Sequence, residues 1–508
     1  MLRTFDEHKV RKTESLDGFW DFAVAGQSSE QTDGLPTEYP DKIAVPSAWE
    51  SKPGLENHRG RAWYKTHISG CGSDRAVRLI FGGVSHTGTV FVDGCRVGQH
   101  YDAYTPWDVV LPELSEDLHE LVIEVDNTFG EHSALHGESD YYTYGGITRP
   151  VVRQVVPLLY IDKVRATPEK TDSGWRLQVE VSLRNTSSKK IKGRVEVDVA
   201  GKTLDLGAAV EGRQLLMNDE PLQLRGFNRH EDHPQFGCAL PLEAMINDLN
   251  LIRDMGANFI RTSHYPNDMR FLDMCDELGF YVWEEPHGKG FQFDEPNYHE
   301  QMFNSAGEML AWHHNHPAIL MWGFLNESDS TTENGHREHE KLARFIRDTD
   351  PSRPITFATN KGRDDICLDL VDIVSWNRYD AWYGGGPEDV AAELETIMEW
   401  LDSPDSNGGS GKPVIMSEFG GGAFYGYRSP AEPKWSEDYQ ERVIDESLRV
   451  YLNHLAIIGT AIWQFCDVRA TSGTWRGRPR EMNNKGIVDE FRRPKLAYKP
   501  VKCHYKSE

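Results

Sequence analysis

The chain changes rhythm near residue 222. Before it, apolar and polar residues alternate in short stretches such as RAVRLIFGGV (75–84), TGTVFVDG (87–94) and HELVIEVDN (119–127). Gly, Asn and Asp punctuate these stretches, and helical periodicity is absent. Alternation of this kind predicts antiparallel strands with one buried face, and so a β-sandwich over 1–157. LYIDKVRATP, WRLQVEVSLRN and GRVEVDVAG carry the same pattern into 158–221. Three or four strands are few for an independent sandwich and leave open edges. The region is therefore expected to pack on its neighbours or to drive association into a homo-oligomer.

From Leu222 onward, apolar runs alternate with helical patterns. The runs are LQLRGFN (222–228), NFIRTSH (258–264), FYVWEEP (280–286), AILMWGFLNE (318–327), PITFATN (354–360), DIVSWNRY (372–379), PVIMSEFG (413–420) and IIGTAIWQF (457–465). Runs apolar at successive positions suit parallel strands buried on both faces. Between the first two, Leu242, Met245, Leu249, Ile252 and Met255 make one helical face. Eight strand–helix units predict a closed (β/α)₈ TIM barrel over 222–508. The Gly/Ser-rich DSPDSNGGSGK (402–412) is expected to be a mobile loop.

In such a barrel, chemistry sits at the carboxyl ends of the strands. The fourth run ends in Asn326-Glu327 and the seventh in Glu418. Either glutamate alone could simply cap the helix that follows. Two of them at equivalent strand ends instead suggest the carboxylate pair of a glycosidase, one a nucleophile and the other an acid/base with a raised pKa.

Bulk properties narrow the partners. The 508 residues are 38% hydrophobic and 11% aromatic with 14 Trp, as in a globular protein with sizeable cores. A net charge of −25 argues against nucleic acid and anionic membranes. Seven scattered Cys without a CxxC pair predict reduced thiols, and the opening MLRTFDEHKVRK has no apolar segment. The expectation is a cytoplasmic protein. No metal-ligand spacing, Walker motif or dinucleotide fingerprint is present, so neither metal nor cofactor is expected.

Four motifs in order, LRGFNRHEDHP (224–234), RTSHYPND (261–268), NHPAILMWGFLNES (315–328) and VIMSEFG (414–420), resemble the signatures of glycoside hydrolase family 2. The resemblance spans nearly the whole chain. It implies a jelly-roll-like sandwich, an immunoglobulin-like domain (shortened here) and a catalytic barrel. It also implies a retaining mechanism in which Glu327 is the acid/base and Glu418 the nucleophile, while Asn326 binds the sugar 2-OH. WNRYDAWY (376–383) and NNKGIV (483–488) are most similar to the β-glucuronidases of that family, in which an Asn-x-Lys-Gly motif grips the substrate carboxylate. That assigns Asn483 and Lys485 to the uronate, within the basic stretch WRGRPREMNNKG (475–486), where Arg480 is a weaker candidate. The same resemblance places Asp140, His264, Tyr379, Tyr383 and Trp463 around the sugar. It implies an exo-acting β-D-glucuronidase acting on a small-molecule or oligosaccharide β-glucuronide. A β-galacturonidase, a β-galactosidase or a non-catalytic carbohydrate-binding protein are the alternatives.

Overall fold

A computed structural model describes residues 13–26, 34–130, 132–171, 174–196, 208–288, 293–471 and 479–507. The first part is a sandwich of two antiparallel sheets. A four-stranded sheet runs Thr13–Ser15, Val151–Pro157, Arg75–Phe81, Trp107–Pro112 in spatial order. It faces a six-stranded sheet ordered Asp41–Val45, Gly18–Val24, Arg61–Ser69, Leu118–Asp126, Thr87–Val92, Cys95–Tyr101. Alternation does what it predicts: Val77, Leu79 and Phe81 turn inward against Phe22, Tyr64 and Ile123. Beyond the sandwich, Ala134, Leu135 and Tyr141 join the core of the barrel, so this segment is docked rather than trailing.

The barrel closes from eight parallel strands: Leu224–Asn228, Phe259–Thr262, Tyr281–Glu284, Ile319–Asn326, Ile355–Thr359, Val374–Asn377, Val414–Glu418 and Ile457–Ile462. Each falls within its predicted run. Helix α1 (Leu242–Asp254) buries Met245, Leu249 and Ile252, the face its periodicity announced. Helices α2 (Met269–Leu278), α3 (Tyr298–His313), α4 (Glu333–Thr349), α5 (Val390–Leu401), α6 (Glu437–Tyr451) and α7 (Tyr498–Lys506) complete the outer layer. Caps set several starts: Asp268 accepts from Arg270 N, Thr332 from Gly335 N and Ser436 from Tyr439 N.

Between sandwich and barrel, Leu159–Thr171 and Gly174–Asn185 form one long antiparallel hairpin. It touches both neighbours: Arg184 bonds Asp108 of the sandwich, and Asn315 of the barrel clasps the Val164 carbonyl and the Ala166 amide. Of the predicted strand GRVEVDVAG (193–201), residues 193–196 are irregular and the remainder lies outside the described residues. Residues 208–221 make a small three-stranded sheet. Leu215 from this sheet joins Leu224, Phe259, Trp283, Leu320 and Met321 in a cluster at the amino ends of the barrel strands.

The segment 402–412, expected to be mobile, is instead a folded turn. Ser406 is buried, Asn407 donates to the Asp365 carbonyl, and Lys412 donates to the Leu368 carbonyl. Its glycines serve turn geometry, with Gly408 and Gly411 at φ of +81° and +77°. All seven cysteines are free thiols. Among the described residues no helix is long and apolar enough to cross a membrane.

Candidate active site

A cavity of about 660 Å³ opens at the carboxyl ends of the barrel strands, lined by Glu327, Glu418, Asn326, His264, Tyr379, Tyr383, Trp463, Lys485 and Asp140 among others. Glu418 ends the seventh strand and is almost wholly buried. One carboxylate oxygen accepts from Arg261 Nη1 at 2.8 Å, the other from the Tyr379 hydroxyl at 2.8 Å. Burial pushes its carboxyl up to about 8; Arg261 pulls the other way, Glu327 pushes further up, and the Tyr379 bond again lowers it.

Arg261 organises this end of the barrel. Fully buried over the Trp283 ring, its guanidinium forks onto Glu285 and also donates to Asn228 and Asn326. His264 shares Glu285, its Nδ1 lying 2.9 Å from Oε1, and its ring stacks on Trp463 at 5.1 Å.

Glu327 follows the fourth strand with φ of +46°, a left-handed backbone that non-glycine residues adopt at some cost. Its amide donates to the Ala358 carbonyl at 2.8 Å, which anchors the turn to the fifth strand. Its carboxylate accepts from Asn377 Nδ2 at 3.0 Å. The same amide nitrogen reaches Asn326 Oδ1 at 3.1 Å, where Arg261 also donates. Glu327, Asn377, Asn326, Arg261 and Glu418 thus form one connected chain. Asn326 lines the cavity with its oxygen already taken by Arg261 and Asn377.

Lys485 enters from the loop after the eighth strand. Its Nζ donates to the Tyr383 hydroxyl at 2.8 Å and lies 3.9 Å from the centre of the Tyr379 ring. The loop is held from behind by Asp467, which takes bonds from Lys495, Asn484 and the Gly486 amide. A Cβ at Gly486 would stand 2.3 Å from the Asp467 nitrogen and the Val488 oxygen, so close approach demands glycine here.

Two of the expected residues lie away from the cavity wall. Asn483 is fully buried and is not part of the described cavity wall; its amide donates to Asp140 Oδ2 at 3.2 Å, bracing the aspartate that the sandwich domain contributes. Arg480 faces Glu490 at 3.6 Å, has a side chain 57% exposed, and does not line the cavity. It sits in a turn of its own, outside the strand that positions Asn483. Sequence reading also missed Arg261, Glu285, Asn377 and Tyr141. A charged residue inside the core run NFIRTSH was the available signal for Arg261: a buried guanidinium needs carboxylate partners.

Away from the cavity, two groups have the composition of metal ligands. Asp102, His136 and His287 place one ligand atom each within 4.8 Å of the others in the buried seam between sandwich and barrel; Asp273 and Asp276 of α2 do the same with His316.

Residues 208–507 match the family model described as the TIM barrel domain of glycosyl hydrolases family 2. The chain belongs to that family and is a glycoside hydrolase. Over its whole length it is similar to a GH2 β-galacturonidase from Eisenbergiella tayi, solved bound to galacturonate, with 38% identity, a TM-score of 0.90 and coverage of 100% of this chain and 99% of the other. It is 26% identical to a β-glucuronidase of Streptococcus agalactiae, over 97% of this chain and 96% of the relative. A β-glucuronidase of Rattus norvegicus is also 26% identical, over 97% and 90%. The streptococcal alignment runs over 592 positions against 508 residues here, so that relative carries segments this chain lacks.

Proposed function

We propose that this chain is a retaining, exo-acting β-uronidase that hydrolyses β-D-glucuronides by double displacement. Glu418, held by Arg261 and Tyr379, attacks the anomeric carbon once its carboxyl has given up its proton. Glu327 protonates the glycosidic oxygen as the alcohol departs, then deprotonates the water that cleaves the glycosyl ester. Asn326 hydrogen-bonds the 2-OH, and Trp463 with His264 forms the floor under the ring. Asp140, braced by Asn483, binds hydroxyls at the closed end.

The observation that carries the uronate assignment is Lys485. Its ammonium shares one cavity with both carboxylates, held against Tyr379 and Tyr383, and Tyr379 itself bonds Glu418. A protein at −25 repels an anionic sugar at long range. Affinity for a carboxylate must then come from a local, partly desolvated cation, and a neutral hexoside would have no use for one.

A second reading, β-galacturonidase, differs only in the orientation of the 4-OH. It is favoured by the 38% identity to the Eisenbergiella tayi enzyme, against 26% to the β-glucuronidases compared above. Initial rates on p-nitrophenyl β-D-glucuronide, β-D-galacturonide and β-D-galactoside separate the readings. Either uronide should exceed the galactoside by about a hundredfold or more in kcat/KM. A galactoside cleaved as well as both uronides would sink the uronidase reading, while the ratio between the two uronides decides the epimer.

A further inference from the structure

The cavity is larger than one sugar ring requires, and its outer wall has a chemistry of its own. Glu327 must protonate the departing oxygen, so the aglycone lies on its side. The fourth barrel strand is bordered there by the fifth and sixth, through Glu327 N to Ala358 O and Asn377 to Glu327. The loops after those strands supply Asn360, Arg378 and Asp380 to the described lining, and the start of α5 adds its N-cap Asp389 and Glu393. The uronate end, with Lys485 and Asp140, is built from the eighth-strand loop and the sandwich.

Three carboxylates and one guanidinium line this wall. The guanidinium is already committed, since Arg378 forks onto Asp380 at 2.7 and 2.9 Å and approaches Glu393 at 3.5 Å. Asp389 takes the Gly386 amide on one oxygen at 2.8 Å. What remains is acceptor-rich and net negative. Tyr383 stands at the junction of the two ends with its side chain open to solvent, one aromatic face beside a polar wall.

We infer that this wall is an aglycone subsite for a neutral sugar, so that the substrates are uronosyl oligosaccharides in which the β-uronosyl unit is linked to an uncharged hexose or pentose. This rests on the uronidase reading above and specifies its leaving group. Sugar hydroxyls donate well to carboxylates, so a sugar gains bonds to the solvent-facing Asp389 and Glu393 that a hydrocarbon aglycone cannot make. A second uronate or a sulfated sugar meets Asp380, Asp389 and Glu393 with like charge.

Leaving-group ability differs too much among glycosides for hydrolysis rates to isolate the subsite, whereas acceptor transfer does isolate it. An aryl glycoside loads Glu418 as a glycosyl ester. An acceptor hydroxyl then attacks the anomeric carbon, its proton passes to Glu327, and the bond to Glu418 breaks with the electron pair returning to the carboxylate. The donor is whichever aryl glycoside the substrate panel shows to be cleaved, so the contest is run even if that sugar proves not to be a uronate. Methyl β-D-galactopyranoside, sodium glucuronate and cyclohexanol compete with water at equal concentration, and transfer products are quantified by chromatography.

Transfer to the neutral hexoside should exceed that to glucuronate or cyclohexanol by about tenfold. Asp389→Asn and Glu393→Gln should each lower the ratio of hexoside transfer to hydrolysis by about fivefold. Cyclohexanol or glucuronate accepting as well as the hexoside, or both variants leaving the ratio unchanged, overturns the neutral-sugar subsite. A donor that is a uronide with such an outcome leaves the uronidase reading standing. A donor that is only a neutral glycoside removes that reading, while the acceptor ranking still judges the subsite.

Discussion

At its carboxyl end the barrel buries Arg261 in hydrogen bonds to both Glu285 and Glu418, and turns Glu327 through a left-handed backbone. At its amino end the same strands, with Leu215 from the small sheet below, contribute Leu224, Phe259, Leu320, Met321, Ile415 and Ile458 to an apolar cluster. One end carries strain and desolvated charge, and the other carries packing. The difference teaches where to look for stability and where for chemistry in a fold whose strands all look alike in sequence. A buried charge costs folding free energy unless its partners are ideal, whereas a packed Leu stabilises by about 2–3 kcal/mol.

Substitutions at the mouth should separate activity from stability most strongly. Glu418→Gln and Glu327→Gln should each lower kcat by roughly 10³–10⁵-fold with little loss of fold. They should differ with leaving group. Glu327→Gln should retain glycosylation by an activated aryl uronide and be rescued by azide, while Glu418→Gln should not, because no ester can form. Equal losses on every substrate, without rescue, would remove the assignment of roles.

The opposite result is expected at the other end. Leu320→Ala leaves a cavity in the apolar cluster and should destabilise by about 2–5 kcal/mol. Active-site titration would then show kcat unchanged per folded molecule. A loss of kcat in fully folded Leu320→Ala would mean that the two ends are mechanically coupled.

Lys485→Ala sharpens the comparison within the mouth itself. Removing the cation should cost about 2–4 kcal/mol in kcat/KM on uronides, roughly a hundredfold, and nothing on a neutral galactoside. A mutant equally active on uronides would strip Lys485 of its role and with it the uronate reading.

How much of this was legible in the sequence follows from what each signal reports. Strands buried on both faces read as apolar runs, so all eight barrel strands and both terminal glutamates could be placed from periodicity and position alone. The fold class was readable for the same reason, and the family through the resemblance of four motifs in order. Arg261 and Asn377 were missed because their roles lie in bonds to Glu418, Glu327 and Asn326, contacts between residues 50 or more positions apart. Asn483 was assigned to the uronate by motif, and only the fold shows it turned toward Asp140. The 402–412 segment failed from the other side. Gly and Ser report conformational freedom in the unfolded chain, but not the tertiary bonds from Asn407 and Lys412 that hold the turn.

The smallest effect tests the electrostatic half of the comparison. Burial, reinforced by Glu327 and opposed by Arg261 and Tyr379, raises Glu418 from 4.5 to about 8. The folded protein therefore holds this proton more tightly than the unfolded chain. Below pH 4.5 both states are protonated and the group is neutral in its effect. As pH rises toward 8, the unfolded chain ionises first, so stability is lost through that window and the penalty is complete above it. Glu418→Gln abolishes the titration while Arg261 keeps Glu285 and the fold keeps its shape. The apparent Tm of the variant, relative to the parent at one scan rate, should rise by about 2–4 °C between pH 5 and pH 8.5. Leu320→Ala at the apolar end should show a Tm deficit that does not vary with pH over the same range. A flat difference for Glu418→Gln, or one that shrinks as pH rises, would mean that Arg261 and Tyr379 fully offset the burial of Glu418.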